Sequence, residues 1–340
     1  MMYRIVPAAL FLLAAIAPLA AAAATDAPIL IAHRGASGER PEHTLAAYEL
    51  AIDQGADFIE PDLVSTKDGV LVARHENEIS GTTDVADHPE FSNRRTVKSI
   101  DGKQVRGWFT EDFTLAELQT LKARKRLPEL RGTEYDGRFG IPTLKDIIAL
   151  AKRRGVGLYP ETKHSAYFRD IGLSLEEPLV AALNAANWTA VDDPVFIQSF
   201  ETENLKRLSS MTDLRLVQLV GAPDQAVPGG DGLHYADLLT TEGLATVAAY
   251  ATGLGPPKQM VIDENGAPTG IVEAAQRAGL TVHSWTFRAE NAFLAPAYRT
   301  EGGDAAHGDM AGEICAQIKI GINGLFSDFP ALAKAAMERC

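Results

Sequence analysis

Short apolar runs alternate with amphipathic segments along most of this chain. The first repeat consists of the apolar run 29–32, a segment with apolar residues at helical spacing between Thr44 and Gly55, and a second strand-like segment, 58–62, in which Glu60 and Asp62 alternate onto one face. A continuous apolar run suits a strand buried on both faces, and apolar positions three or four residues apart suit a helix packed on a sheet. This stretch therefore predicts a strand–helix–strand unit.

The same repeat continues to the C-terminus and predicts a barrel. A short apolar run at 70–73 is interpreted as a hairpin extension, not as a barrel strand. The eight predicted barrel strands are 29–32, 58–62, 157–163, 195–200, 214–220, 259–263, 281–287 and 324–328. Strands that alternate with helices form parallel sheets, and eight such units favour a (β/α)8 TIM barrel of the α/β class. An open doubly wound sheet is the alternative, but no G-x-G-x-x-G follows the first strand.

Two segments depart from this repeat. Residues 1–24 combine Arg4 with an Ala-rich apolar run that ends in small residues, which is typical of a secretory signal peptide. They predict a periplasmic or secreted protein with no stable membrane anchor, and a transmembrane anchor is the alternative for the same run. Residues 80–140 are polar and weakly periodic, which predicts a small insertion after the second strand, folded over the barrel rim. The barrel is expected to occupy 25–340.

Composition narrows the classes of function. The chain has 340 residues, a hydrophobic fraction of 46% and a formal net charge of −13, which suit a globular protein with an acidic surface. Such a surface argues against a nucleic-acid partner, since binding a polyanion needs a basic face.

Cys315 and Cys340 are the only cysteines of the sequence, and their spacing is compatible both with a disulfide and with two free thiols. Oligomeric state is left open.

Polar side chains gather where the first three predicted strands end. They are His33, Arg34, Glu60, Asp62, Glu161 and Lys163. A second histidine, His75, follows the carboxylate pair by one hairpin. Because active sites of such barrels lie at the C-terminal ends of the strands, these side chains are predicted to face one mouth. Buried carboxylates on one face need a cation, and oxygen ligands favour a hard divalent ion, Ca²⁺ or Mg²⁺, over zinc.

In this order, the motifs resemble the glycerophosphodiester phosphodiesterases, especially the periplasmic type. The matching elements are His33-Arg34-Gly35, Pro41-Glu42-x-Thr44, Glu60-x-Asp62, His75, Glu161-x-Lys163, Gln198-Ser199-Phe200 and the run 324–330. The resemblance covers nearly all of the chain after residue 24. It implies a (β/α)8 barrel, a divalent cation and hydrolysis of a small-molecule glycerophosphodiester to an alcohol and sn-glycerol 3-phosphate.

The resemblance also implies roles for individual residues. Glu60, Asp62 and Glu161 would bind the metal, and His33 and His75 would form a general acid/base pair. The implied substrate-binding residues are Arg34, Lys163, Gln198 and Trp285. Calcium is expected ahead of magnesium, because its flexible coordination suits a calcium-rich exterior. His43 and Glu76 depart from the family pattern, which usually has Asn and Asp at these positions.

Two other functions are compatible with the same residues. One is a phospholipid lyase of the sphingomyelinase D type on the same barrel, acting on intact lipid. The other is a noncatalytic barrel that binds phosphorylated ligands. Lys163 also has a structural interpretation, as an ion-pair partner of Glu161. Head-group preference is open, and so is the choice between water and a neighbouring hydroxyl as nucleophile.

Overall fold

The computed structural model describes residues 27–230, 232–263 and 266–340. The predicted signal peptide, residues 1–24, lies outside the described residues. Within the described ranges, no helix is both long enough and apolar enough to cross a membrane.

Strands and helices alternate along the described chain. The strands are β1 Ile29–His33, β2 Phe58–Glu60, β3 Asp62–Ser65, β4 Leu71–Ala73, β5 Thr96–Ile100, β6 Lys103–Gly107, β7 Gly157–Leu158, β8 Glu161–Thr162, β9 Phe196–Ser199, β10 Arg215–Leu219, β11 Gly253–Gly255, β12 Thr281–Phe287 and β13 Gly324–Ser327. The helices are α1 Leu45–Asp53, α2 Leu115–Leu118, α3 Pro128–Arg131, α4 Leu144–Arg154, α5 Ser165–Asp170, α6 Glu176–Ala185, α7 Thr202–Ser209, α8 Tyr235–Leu238, α9 Thr241–Ala248, α10 Ile271–Arg277, α11 Met310–Ile320 and α12 Pro330–Met337.

The parallel strands form a curled, TIM-barrel-like sheet. β1 pairs with β2 on one side and with β13 on the other. From β13 the parallel pairing continues through β12, β11, β10 and β9 to β8. β8 in turn pairs with β3, and β7 pairs with β2. The predicted α/β class and, of the predicted (β/α)8 TIM barrel, the TIM-barrel-like arrangement of parallel strands are thereby confirmed.

Two prolines divide strands that the apolar pattern predicts as continuous. Pro61 separates β2 from β3, and Pro160 lies between β7 and β8. Proline has no backbone N–H to donate to the ladder and therefore interrupts it. Both breaks lie at the mouth, where they redirect the chain beside the polar residues.

The sixth predicted strand is wrong. Residues 259–263 do not pair in the sheet, and β11 takes the position between β10 and β12. A Cβ atom at Gly253 would lie 2.8 Å from Thr281 Oγ1, and one at Gly255 would lie 2.5 Å from Leu219 Cδ2. Glycine at these positions lets the neighbouring strands approach closely. A strand of Gly-Leu-Gly carries almost no apolar pattern, which is why the sequence pattern missed it.

The long connection between β4 and α4 has little regular structure. It holds the antiparallel ribbon β5–β6 and the short helices α2 and α3. A capping box of Thr114 and Glu117 begins α2, which ends at Leu118.

Aromatic and aliphatic side chains fill the inside of the barrel. This inner cluster comprises Ile31, Phe58, Tyr159, Phe196, Val217 and Phe326. The Tyr159 hydroxyl and His283 Nδ1 are hydrogen-bonded at 2.7 Å within it. A larger apolar layer packs between the sheet and the surrounding helices. The interior is therefore a packed core that supports the mouth from below.

A disulfide joins Cys315 on α11 to Cys340 after α12, with their Cα atoms 5.2 Å apart. The sequence leaves open whether the two cysteines form a disulfide or stay free thiols, and in the structure they form the disulfide. The crosslink closes a loop with a sequence separation of 25 residues.

The double variant Cys315→Ser/Cys340→Ser is expected to unfold more easily than the wild type. Chain-entropy arguments assign about 3 kcal/mol to a loop of this size, because the crosslink restricts the unfolded chain. Urea denaturation in non-reducing buffer measures the difference. Reducing agent should destabilise the wild type and leave the double variant unchanged. Equal midpoints for the two proteins without reductant would contradict the prediction.

Candidate active site

The predicted site residues converge at the C-terminal ends of the parallel strands. Seven of the predicted residues line one small cavity of about 80 Å³, with Trp285 in its wall as well: His33, Arg34, Glu60, His75, Glu161, Lys163 and Gln198. Asp62 lies beside them, bonded to Arg34 and His43. Because the strands are parallel, their carboxyl ends meet at one mouth, and residues far apart in sequence become neighbours.

Three buried carboxylates form the centre of this site. Glu60, Asp62 and Glu161 each offer an oxygen, and these oxygens all lie within 4.8 Å of one another. The ladder explains the convergence: Asp62 is in register with Glu161 across β3 and β8, and Glu161 is in register with Gln198 on β9.

The charges of this triad are incompletely balanced within the described chain. Burial, reinforced by the neighbouring carboxylates, raises the pKa of Glu60 well above its usual value and that of Glu161 to about 8. The pKa of Asp62 is shifted in the opposite direction. Burial raises this pKa, but Lys163 and the His43 hydrogen bond lower it well below its usual range. Asp62 Oδ1 is buried without a hydrogen-bond partner. An all-oxygen set with an orphaned oxygen and mutual repulsion fits a hard divalent cation.

His33 is held by a carboxylate from the last strand end. Its Nδ1 lies 2.5 Å from Asp328 Oδ1, and Asp328 also accepts hydrogen bonds from Arg131 (2.6 Å) and Arg288 (2.9 Å). Burial and the charge of Arg34 lower the pKa of His33 to about 4, despite the opposing effect of Asp328. The ring is therefore neutral at pH 7, and Nε2 is the nitrogen left for other chemistry.

His75 stands at the outer side of the same cavity, with its side chain about one third exposed (32%). Its Nδ1 is hydrogen-bonded to Glu76 Oε2. Close packing in the site and the charges of Arg34 and Lys163 lower its pKa. Both predicted histidines thus share one arrangement, a neutral ring fixed through Nδ1 by a carboxylate.

Two cations lie among the carboxylates. The Arg34 side chain reaches Glu42 and Asp62, both at 3.3 Å, while its backbone N–H donates to Glu60 at 2.8 Å. Lys163 Nζ donates to Glu161 at 2.8 Å and lies 3.8 Å from Asp62. The ion pair that the sequence offered as the alternative role of Lys163 is therefore present in the described structure.

The turn at Arg34 and Gly35 depends on an unusual backbone. Arg34 has φ of 62° and Gly35 has φ of 83°. A Cβ at Gly35 would lie 2.6 Å from the carbonyl carbon of Ala47 on α1. Only glycine fits against that helix, and the turn aims the Arg34 N–H at the triad.

Gln198 and Trp285 complete the predicted set in different ways. Gln198 Nε2 donates to Glu60 at 3.2 Å, so its amide orients a carboxylate of the triad. Trp285 Nε1 donates to the Gly255 carbonyl at 2.8 Å, and its ring packs edge-on against Phe200 with centroids 5.8 Å apart. Trp285 therefore forms a wall of the cavity.

Sequence reasoning assigned no role to several residues that complete the site. His43 is fully buried between Asp62 (2.9 Å) and the Tyr48 hydroxyl (2.8 Å). His43 lies inside a recognised motif, one residue before the N-cap of α1, and this position was the sequence signal that could have identified it. Arg126 and Arg131 lie in the weakly patterned stretch 80–140, where no sequence signal pointed to the mouth.

Acidic, basic and imidazole side chains gathered at the mouth of a TIM-barrel-like fold are the arrangement of a barrel enzyme's active site. The model of the glycerophosphoryl diester phosphodiesterase family matches residues 33–332. The chain belongs to this family, and the prediction that it is an enzyme of this kind is confirmed.

Relatives match most of the chain. It is 37% identical to a glycerophosphodiester phosphodiesterase of Arabidopsis thaliana, over 90% of this chain and 84% of the relative. It is 31% identical to one of Haemophilus influenzae, over 89% and 87%. A phosphodiesterase of Oleispira antarctica, solved with its product sn-glycerol-3-phosphate, has the same fold, with a TM-score of 0.59, 22% identity and coverage of 92% of this chain and 97% of that one.

Proposed function

We propose that this enzyme hydrolyses glycerophosphodiesters to an alcohol and sn-glycerol 3-phosphate, with a divalent cation and two histidines. One observation carries the proposal: two carboxylates of the triad, Glu60 and Glu161, line one cavity with two neutral imidazoles, each fixed by its own carboxylate, and the third triad oxygen lies within 4.8 Å of theirs. Family membership and the product named for the Oleispira antarctica phosphodiesterase support the choice of substrate.

Glu60, Asp62 and Glu161 would hold the cation, with Ca²⁺ proposed ahead of Mg²⁺. When bound, the cation would stabilise the negative charge that builds up on the phosphoryl oxygens during hydrolysis. Arg34 and Lys163, which already line the cavity, would add positive charge beside the phosphate. Gln198 would keep Glu60 in place, and Trp285 would form a wall against the substrate.

His33 and His75 would carry the proton transfers. One neutral imidazole can take the proton of the attacking hydroxyl. The other would take up a proton from solvent as the anionic phosphodiester binds beside it, because a nearby negative charge favours imidazolium, and would then give that proton to the leaving alkoxide. Asp328 and Glu76 would fix the ring orientation through Nδ1, so that Nε2 transfers the proton in each case.

Product analysis tests this proposal against its alternatives. Glycerophosphocholine is incubated with the enzyme, with and without thorough chelation, and followed by phosphorus NMR. Release of sn-glycerol 3-phosphate that stops on chelation supports the proposal. An accumulating cyclic phosphate would support the lyase, and binding in calorimetry without turnover would support a binding protein. Full activity after chelation would contradict the metal requirement.

The alcohol half of the substrate is proposed to enter a larger cavity beside the first. This cavity has a volume of about 530 Å³ and shares Trp285, Thr286 and Arg288 with the smaller one. Phe293 forms part of its lining, with the Arg288 guanidinium 4.5 Å from the ring centroid. A volume of this size is ample for a bulky polyol.

Ala292→Trp is expected to raise KM for glycerophosphoinositol roughly tenfold, because Ala292 lines the larger cavity and the indole would occupy it. KM for glycerophosphoethanolamine should change little, because its alcohol is small. The exposed Ala335→Trp is the control for adding an indole. Equal KM changes for both substrates would contradict this placement of the alcohol.

Residues 1–24 are proposed to be an export signal, and 25–340 to form one catalytic unit with an insertion at about 80–140. The proposal is supported by the sequence pattern and by contacts of Arg126 and Arg131 with mouth residues. Mass spectrometry of the exported protein tests it, since a mature N-terminus near residue 25 is expected. An exported protein that retains residues 1–24 would contradict the signal.

A further inference from the structure

Residues 125–131, named here the bridging segment, lie beside both candidate catalytic histidines. The segment docks on the loop after β1: Lys125 Nζ donates to the Gly38 carbonyl at 3.2 Å, and Arg131 Nη1 donates to the Ser37 carbonyl at 3.3 Å. Its two arginines at positions 126 and 131 then reach opposite sides of the site.

Arg126 joins the carboxylate that holds His75 to the one that holds Arg34. Its Nη1 and Nη2 donate to Glu76 at 2.8 and 3.1 Å, and its Nε and Nη2 donate to Glu42 at 2.8 and 2.7 Å. Although burial opposes it, the bonds with His75 and Arg126 lower the pKa of Glu76 to about 2. Glu76 therefore stays ionised and oriented towards His75, since a two-point guanidinium contact restricts the carboxylate.

Arg131 holds Asp328, the carboxylate that orients His33. Its Nη2 donates to Asp328 at 2.6 Å, and its Nε donates to the buried Glu290 at 2.5 Å. Asp328 has a second arginine, because Arg288 Nε also donates to it at 2.9 Å. The support of His33 is therefore shared. Among the described residues, the Glu76 carboxylate forms an ion pair with Arg126 and with no second arginine or lysine.

We propose that Arg126 and Arg131 are positioning residues, through which one short segment orients both histidines by holding Glu76 and Asp328. The inference rests on the proposed acid/base roles of His33 and His75. It assigns a task to a stretch of chain that carries no recognisable motif. Because Arg288 also holds Asp328, we expect loss of Arg126 to lower kcat more than loss of Arg131 does.

Arg126→Met is expected to lower kcat about ten- to a hundredfold, the range seen when a group that orients a reactive residue is removed. KM should rise less, because the Glu42–Arg34 contact at 3.3 Å remains. Arg126→Lys should recover part of kcat, since it keeps the charge without the two-point contact. The matched control is Arg124→Met, whose arginine pairs with Asp87 at the surface.

Arg131→Met leaves Glu290 buried without its cation and could fold poorly. Arg131→Met/Glu290→Gln removes that charge and is the variant to assay. With Arg288 still on Asp328, its kcat is expected to fall less than that of Arg126→Met. Thermal unfolding and calorimetric titration with Ca²⁺ verify that each variant folds and binds the ion. A fall for the Arg131 variant equal to or greater than that for Arg126→Met would overturn the proposed order.

Double-mutant cycles decide whether the arginines act through the histidines. In a His75→Ala background, Arg126→Met should cost at most about twofold in kcat, because the group that it positions is already gone. The same result is expected for the Arg131 variant in a His33→Ala background. Full additivity in either cycle would overturn the inference, and so would a kcat of Arg126→Met equal to that of Arg124→Met. Wild-type activity of His33→Ala or His75→Ala would instead overturn the proposed function, so the two failures are distinguishable.

Discussion

Glu161→Gln is expected to reduce kcat/KM for glycerophosphocholine by about a thousandfold or more, because it removes one of three ligands proposed for the cation. Glu161, Glu60 and Asp62 place their oxygens within 4.8 Å of one another. A glutamine of the same shape keeps the packing and removes the charge. Calorimetric titration with Ca²⁺ or Mg²⁺ should show that ion binding is lost together with activity.

The stability of the ion-free protein separates ligand loss from misfolding. The substitution relieves repulsion within the triad but also removes the charge partner of Lys163, which keeps Asp62 at 3.8 Å and can donate to the glutamine oxygen. These effects oppose each other, so the ion-free variant should have nearly the stability of the ion-free wild type. Added Ca²⁺ should raise the unfolding temperature of the wild type only, because only a ligand that binds the folded state stabilises it.

Glu201→Gln is a matched control for this experiment. Glu201 is also buried, and its Oε2 accepts from the Ala166 N–H at 2.8 Å, a bond that a glutamine oxygen can keep. Its variant should bind the ion and turn over substrate as the wild type does. Retained ion binding in Glu161→Gln, or an equal loss in Glu201→Gln, would contradict the proposed ligand set. Chelation of the wild type should reproduce the loss, and added ion should reverse it.

His33→Ala and His75→Ala are each expected to lower kcat by roughly a hundred- to ten-thousandfold, which is the usual contribution of a general acid or base. The double variant should be little worse than the more damaged single one, because residues that act as a unit are not additive. His88→Ala is the control, since His88 lies outside the mouth and pairs with Asp84 and Glu90.

A nitrophenyl phosphodiester assigns the two roles. Nitrophenolate leaves readily without a proton, so the variant that lacks the general acid should regain most of its activity on this substrate. The variant that lacks the general base should remain impaired, because the nucleophile still has to lose its proton. Two-histidine catalysis would be contradicted if neither variant recovered on the nitrophenyl substrate, or if either variant kept wild-type activity on glycerophosphocholine.

Local features of the structure followed from the sequence where a simple periodicity specified them. The strand at β1 and the helix between Thr44 and Gly55 lie where the pattern predicts them. β11 was missed because Gly253 and Gly255 have no apolar side chains to reveal a strand whose burial is decided by its neighbours.

The amino-acid sequence by itself determined the alternation that makes a parallel α/β sheet, and it identified the carboxylates, histidines and basic residues at the strand ends. Only the tertiary structure decided which groups satisfy them: Asp328 on His33, His43 on Asp62, and Arg126 on Glu76. The physical reason is that strand register and helical spacing act over a few residues, whereas charge pairing at the mouth depends on distances between segments that lie far apart in the chain. A buried carboxylate must find a partner, but the sequence does not specify which distant arginine will be within reach.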